Sequence, residues 1–361
     1  MIAPPWYELP PTGYGGIELI CAALVDAFVA RGHHVTLYGA GQHAVSATKF
    51  VSTFADPQFP RLGEALPEVL HTAQVNQLLA DDHVDVVHDH SLTGPLTAAQ
   101  RSAPTVVTMH GRVDSELGDY FAELGSGVSL VAISHAQRHR RPELPWAATV
   151  HNGVDPSRFM PGISSDGPVL WLGRFNPDKG PDLAIEACRR AGLPLILAGK
   201  CNEPNEVRYL AETIRPMLGS DVHLVVNGDR PTTNRLVSQA RCLLMSIRWP
   251  EPFGMVMIEA MASGTPVVAL RHGSVPEVVR DGVTGFICDH PAELPDALHR
   301  VDQLDPADCV ACVRNAFSAE LMASRYEQVY RRAMVTFNRN RVSRPKVALA
   351  ARPVALRAAR F

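Results

Sequence analysis

Two carboxylates, Glu251 and Glu259, stand eight residues apart in the string Pro250-Glu-Pro-Phe-Gly-Met-Val-Met-Ile-Glu-Ala-Met-Ala-Ser-Gly-Thr-Pro-Val-Val-Ala269. Pro252 and Gly254 lie between them, and a run with helical character begins near Met255. This spacing predicts Glu251 in a loop ahead of a helix and Glu259 about one turn inside it. The free N–H groups of Gly254, Met255 and Val256 would then form the positive end of the helix, which can hold anions or sugar oxygens. A carboxylate beside that end can accept two hydroxyl hydrogen bonds at once, so the string offers polyhydroxyl recognition next to an anion. Either glutamate alone would read as an ordinary acid at a helix start.

A second constellation is Arg174 and Lys179, five residues apart in the Gly-flanked segment Leu172-Gly-Arg-Phe-Asn-Pro-Asp-Lys-Gly180. The chain has only four lysines, at 49, 179, 200 and 346, so a lysine inside a loop motif stands out. A departing phosphate develops negative charge and needs fixed cations. Arginine offers a planar fork to two oxygens, and lysine a point charge. The sequence contains no Asp-x-Asp, the carboxylate pair that holds Mn²⁺ or Mg²⁺ in many transferases. Gly15 and Gly16 would admit close backbone approach to a phosphate, since no Cβ intervenes. His110 closes a strand, and Asp114 either faces the cleft or caps a helix.

Alternating strands and helices position these groups. Residues 35–38, 84–88, 105–109 and 129–133 read as buried strands, with helical patterns at 17–30 and 64–80 between them. The rhythm restarts with strands at 169–172, 195–198, 222–226, 242–245 and 266–270. Helical stretches fall at 182–191, 204–217, 232–240 and 254–263. This pattern predicts an α/β chain of two doubly wound, Rossmann-like parallel-sheet domains facing a cleft. The Gly/Pro/Ser cluster at 159–168 reads as the linker. The expected division is an N-terminal domain at 1–160 and a C-terminal domain at 161–317, which the resemblance given below makes the acceptor side and the donor side. A helix at 318–337 should cross back to the N-domain on an aromatic stripe of Phe317, Tyr326 and Tyr330, and 338–361 reads as a basic mobile tail. The first strand is short, with Met1-Ile-Ala before Pro-Pro.

Composition narrows the class. The chain has 361 residues, 46% of them hydrophobic, and a net charge of −3, so length suits two domains and charge gives no case for nucleic acid. After Phe337 the chain carries seven bases and no acid, which would favour weak contact with an anionic membrane. No apolar stretch is long enough to span a membrane, and no secretory leader is apparent. Seven scattered cysteines suit a reducing cytoplasm. Cys309 and Cys312 read as neighbours on a helix face.

Several features are decoys. Gly39-Ala-Gly-Gln-His-Ala44 fits a dinucleotide fingerprint, but no helix begins at its third position, so it reads as a turn and disfavours an NAD-dependent oxidoreductase. His83, His88 and His90 suggest a metal site by composition, with His88 and His90 on one strand face, and the family resemblance given below implies substrate-loop residues instead.

The string EPFGMVMIEAMASGTPVVA resembles the E-x7-E motif of family 4 glycosyltransferases, retaining enzymes of the GT-B fold that use nucleotide sugars. The resemblance extends to the G-R-x4-K-G segment at 173–180, Asn152-Gly-Val-Asp155 with Phe159, Gly15-Gly16, His110, and Gly282-Val-Thr-Gly-Phe286. It covers roughly residues 1–335. It implies transfer of a sugar from a nucleoside-diphosphate donor to a sugar, lipid or small-molecule hydroxyl acceptor, with no metal and no cofactor. Arg174 and Lys179 would clamp the diphosphate, Glu251 would bind the transferred sugar, and Glu259 the ribose. Phe253, Gly254, Met255 and Val256 would border the donor, and His110 would lie across the cleft, near sugar and acceptor. Residues 227–234 should border the nucleobase, while loops near 40–62 and 111–125 set the acceptor. A peripheral place at the inner membrane face would follow from the tail. The alternative is a GT-B-like protein that binds sugar nucleotides without transferring.

Overall fold

The computed structural model describes residues 1–361 except 14, 161, 163–165 and 344–361. Every strand pairing in it is parallel. In the N-terminal half, β1 (Thr36–Gly39) pairs with β2 (Lys49–Ser52), and β3 (Val87–Asp89), β4 (Thr105–Met109), β5 (Ser129–Ala132) and β6 (Trp146–Thr149) lie side by side in that order. Ile2 bridges both Tyr38 and Asp89, and the backbone of residues 1–3 joins the two strand sets, with Met1 and Ala3 bonded to Tyr38 and Ile2 to His88 and His90.

The C-terminal half holds one six-stranded sheet. Its strands are β7 (Val169–Leu172), β8 (Leu195–Gly199), β9 (Val222–Val226), β10 (Cys242–Met245), β11 (Val267–Leu270) and β12 (Gly285–Cys288), in the order β12-β11-β10-β7-β8-β9. Chain direction across the sheet reverses between β7 and β10. Open parallel sheets bind ligands outside the carboxyl ends of the strands at such a switch point. Helices cover both faces because the strands are apolar on both sides, as Val267–Leu270, buried at every position, shows.

The strands read from sequence between residues 35 and 270 are present, but the short first strand at Met1-Ile-Ala is only an isolated bridge at Ile2. β2, β6 and β12 were not expected. β2 carries Lys49 and has no fully buried position, and β6 carries an exposed Ala147, so neither shows the continuous apolar run of a central strand.

The last helix, Ala319–Ser343, lies on the N-terminal half. Tyr326 and Tyr330 pack with Val25 and Phe28 in one buried cluster, and the Tyr326 hydroxyl lies 2.7 Å from Thr108 Oγ1. Arg31 and Glu327 tie the same helix to Gly16–Ala30 at 2.6 Å. Phe317 is not part of that stripe. It ends helix Pro306–Ala316 and packs in the C-terminal core against Phe253, because the chain turns over at Phe317–Ser318 before the new helix starts. The helix also continues to Ser343, so residues 338–343, read as tail, are helical. The remaining tail lies outside the described residues.

The expected linker at 159–168 is only partly described. Gly162 N–H bonds the Ser263 carbonyl at 3.0 Å, which pins the segment to the C-terminal half. Among the described residues no helix is long and apolar enough to cross a membrane. All seven cysteines are free and buried, with Cys309 and Cys312 on one helix.

Candidate active site

The site is built at the switch point from the loops that leave β7 and β10. The β7 loop ends in the turn Pro177–Lys179, where the Asn176 side chain accepts the Lys179 N–H at 3.0 Å. Gly180 follows with φ 65, and a Cβ there would collide with the Ser246 carbonyl. The Ser246 hydroxyl donates to the Gly180 carbonyl at 2.6 Å, so the two loops are stitched together. The Arg248 guanidinium adds three further bonds, to the Pro177 carbonyl at 3.0 Å and to the two Asp182 carboxylate oxygens at 2.7 and 2.5 Å. This fastening carries Lys179 to Glu251.

The Lys179 ammonium pairs directly with the Glu251 carboxylate, and Trp249 Nε1 donates to the same oxygen at 3.0 Å. The Lys179 ammonium also stands 4.7 Å over the Trp249 ring. Glu251 is 8% exposed. Its backbone is held by Gly273, whose φ of 56 and lack of a Cβ allow it to lie against the Glu251 peptide. Ser274 N–H then bonds the Glu251 carbonyl at 3.0 Å.

Helix Met255–Ala262 begins at Gly254, which has φ 76, a conformation open to glycine at little cost. Its first-turn residues Met255 and Val256 are partly buried. Phe253 departs from expectation, because its ring is 2% exposed and packs on Phe317, so it supports the helix start rather than lining a donor surface. Glu259 is 7% exposed and accepts from Arg230 Nη2 at 2.9 Å. The Arg230 N–H reaches the Thr12 carbonyl of the N-terminal half at 2.9 Å. Segment 227–234 is thus the start of helix Arg230–Gln239, capped by Asp229, and it touches the glycine loop.

Arg174 does not join Lys179. Its guanidinium lies 3.4 Å from Glu203 and 3.6 Å from Glu206. Lys200 also pairs with Glu203 at 3.0 Å. Burial pushes the Glu203 carboxyl up, but Lys200 and Arg174 outweigh it and hold the pKa below the ordinary value.

From the N-terminal half, Gly15 (φ 152) starts helix Gly16–Ala30, and a Cβ there would lie 2.8 Å from Pro11. A Cβ on Gly16 would meet nothing within 4 Å, so this position is open. Glu18, in the first turn, is buried, and burial pushes its pKa to about 8. His110 follows β4, and its Nε2 lies 2.9 Å from His90 Nδ1. Burial holds the His110 pKa down at about 4, so the ring is neutral near pH 7. Arg112, two residues on, places its guanidinium 5.8 Å from the centre of the Trp249 ring, across the cleft.

Asp114 caps no helix, since Ser115 stands at the N-cap of Glu116–Glu123. It pairs with Arg112 at 3.2 Å and Arg140 at 2.7 Å, and these partners hold its pKa below the ordinary value. His88 and His90 differ from the loop residues expected, being 3% and 4% exposed. Their strand alternation does put both on one face, with ring centres 4.0 Å apart. The turn at 39–44 starts no helix; Gly41 sits there at φ 68.

Sequence reading missed Trp249 and Glu277, and held Arg230 only within the segment 227–234 expected to border the nucleobase. Glu277 takes the backbone N–H of His135 and the His151 ring, each at 2.8 Å, and so fastens the two halves. Burial raises its carboxyl pKa, but His151 and the two backbone N–H groups of His135 and Ala136 outweigh it, and the net shift is downward. Trp249 stands two residues before Glu251, so its place near the motif was the signal that could have found it.

Two parallel-sheet domains of this topology, with a basic and carboxylate site between them, form the GT-B class. Residues 158–316 match the family described as Glycosyl transferases group 1, and residues 14–158 match Glycosyltransferase Family 4. The chain is a glycosyltransferase of the GT-B fold. It is 27% identical over 332 residues to alpha-maltose-1-phosphate synthase of Mycobacterium tuberculosis, an alignment covering 79% of this chain and 84% of the relative. Among solved structures, AviGT4, a glycosyltransferase of avilamycin A biosynthesis, superposes with a TM-score of 0.72 at 24% identity, covering 92% of this chain and 97% of that one. HepE of Anabaena, in complex with UDP-glucose, superposes with a TM-score of 0.67 at 18% identity, covering 94% and 99%.

Proposed function

We propose that the chain is a retaining, metal-independent family 4 enzyme that moves a sugar from a nucleoside diphosphate to a hydroxyl acceptor. The observation that carries this reading is the Lys179–Glu251 pair at the mouth of the C-terminal switch point, beside the helix start at Gly254. A cation for the diphosphate and a carboxylate for sugar hydroxyls stand within one ion pair of each other, next to free helix N–H groups. Glu259 with Arg230 offers a second carboxylate, suited to the ribose. Arg174 stands after β7 as the further cation, and Gly15-Gly16 faces the phosphates from the other half. His110 faces the transferred sugar.

In the reaction, the bond from the anomeric carbon to the β-phosphate oxygen breaks, and the acceptor oxygen bonds to the same face. The acceptor's proton passes to the departing phosphate oxygen. Lys179 stabilises the charge that develops there, and Arg174 adds to it once the phosphate draws its guanidinium from Glu203 and Glu206, the role a metal has in other transferases. The free, buried cysteines suit a cytoplasmic setting.

The test starts from UDP-glucose, the ligand in the Anabaena structure, and extends to GDP, ADP and TDP sugars with a panel of hydroxyl acceptors. Acceptor-dependent release of nucleoside diphosphate, undiminished by EDTA, with an anomeric configuration in the product equal to that of the donor, is the expected result. Tight donor binding with no release across the panel would leave a binding protein instead. An inverted product would overturn retention.

A further inference from the structure

We infer that His90 is a positioning residue that sets the tautomer of His110, so that His110 presents an N–H donor to the cleft. The inference rests on the reading above that His110 faces the transferred sugar. His90 lies one residue beyond β3 and His110 one beyond β4, on adjacent parallel strands. The 2.9 Å contact joins His90 Nδ1 to His110 Nε2, with the two rings 27° from parallel.

The other nitrogen of His90 decides which ring donates. His90 Nε2 is buried and has no hydrogen-bond partner among the described residues. The neighbouring His88 cannot serve it, since both His88 nitrogens are engaged, with the Tyr330 hydroxyl and Thr108 Oγ1, each at 2.7 Å. Burial pushes the pKa of His90 well below the ordinary value, so the ring carries a single N–H. If His110 Nε2 donated to His90 Nδ1, that hydrogen would sit on His90 Nε2, buried with nothing to accept it. If His90 Nδ1 donates instead, His90 Nε2 keeps a bare lone pair. Either arrangement leaves His90 Nε2 unpartnered, and because orphaned buried N–H groups are rare in folded proteins we take the one that leaves a bare acceptor rather than a bare donor. The second arrangement therefore holds, and the proton of neutral His110 lies on Nδ1.

A ring in that state donates to a sugar oxygen and has no free lone pair with which to remove a proton. His110 then orients the sugar and is not the base, which agrees with the phosphate oxygen taking the acceptor's proton.

The test uses the full chain labelled with ¹⁵N-histidine, with His110 assigned by its loss in His110→Gln. Long-range ¹H–¹⁵N spectra at pH 7 should show the Nδ1–H tautomer for His110. In His90→Phe the pattern should move to Nε2–H or to an average of both. In His90→Asn, whose side-chain N–H stands near the lost Nδ1, the Nδ1–H form should return. Turnover should fall about tenfold or more in His90→Phe with donor KM unchanged, and stay within about threefold of the parent in His90→Asn. An Nε2–H or doubly protonated His110 in the parent protein, or an unchanged His110 pattern and turnover in His90→Phe, would overturn the inference. Should His90→Phe not fold, the parent spectrum and His90→Asn decide by the same criteria. If His110 is Nδ1–H yet no sugar nucleotide is turned over, the proposed reaction fails while the tautomer assignment stands.

Discussion

Arg230 Nη2 lies 2.9 Å from Glu259 Oε1, while the Arg230 backbone N–H holds the Thr12 carbonyl of the opposite half at 2.9 Å. One residue thus orients the carboxylate assigned to the ribose and ties the two halves at the glycine loop. Glu259→Gln should weaken free nucleoside diphosphate and sugar nucleotide alike, by about tenfold, because ribose is common to both. Arg230→Ala should do the same without touching the nucleotide directly, since it leaves a nearly buried carboxylate unpaired. Calorimetry with both ligands checks this. Full affinity in Arg230→Ala would mean that the pair does not orient Glu259.

Glu251 and Lys179 should respond differently. Glu251→Gln removes the carboxylate that competes with a diphosphate for the Lys179 ammonium. Free nucleoside diphosphate should bind the variant as well as or better than the parent, while turnover falls and the choice among donor sugars blurs. Lys179→Ala should cut turnover about a hundredfold or more, with the fold intact by circular dichroism. Weaker free nucleotide in Glu251→Gln would reverse the assigned roles, and a loss below tenfold in Lys179→Ala would move the diphosphate elsewhere.

Gly273 tests how rigidly the Glu251 loop is held. Its φ is 56, and a Cβ would collide with the Glu251 peptide. Gly273→Ala should lower the melting temperature and cut turnover together, because the loop must move to admit the methyl group. Parent-like activity would show that the position of Glu251 tolerates displacement.

The buried histidines set an acid limit. Burial lowers the pKa of His71 and His110 to about 4, and those of His88 and His90 well below the ordinary value. Below an unfolded pKa of about 6.5 the unfolded chain binds protons that the folded chain refuses, so unfolding is favoured as pH falls. The stabilisation is complete above that value and is lost through the window from about 6.5 to about 4, at roughly 1.4 kcal/mol per unit for a fully buried ring such as His71. Melting temperature should therefore decline steadily from pH 6.5 to 4.5, while turnover between pH 6 and 8 shows no ionisation of His110. A flat melting profile over the acid window would contradict neutral, buried rings.

The amino-acid sequence alone determined the alternation of apolar strands and helices, since that periodicity is local and both faces of a parallel sheet must be covered. It also marked Glu251, Glu259, Lys179 and Arg174, because their loops carry the glycines and prolines that end strands and start helices. What it left undecided depends on contacts between segments far apart in the chain. Arg174 turns to Glu203 and Glu206 and not to Lys179, because β8 and its following loop lie next to β7 in the sheet. Phe253 and Phe317 meet in one core although 64 positions separate them. His88 and His90 look polar and loop-like in sequence, yet the packing of Ala319–Ser343 onto the N-terminal half buries them and gives His88 its tyrosine partner. Only the folded chain, by bringing distant donors and acceptors within hydrogen-bond reach and removing water from between them, decided which charges are paired.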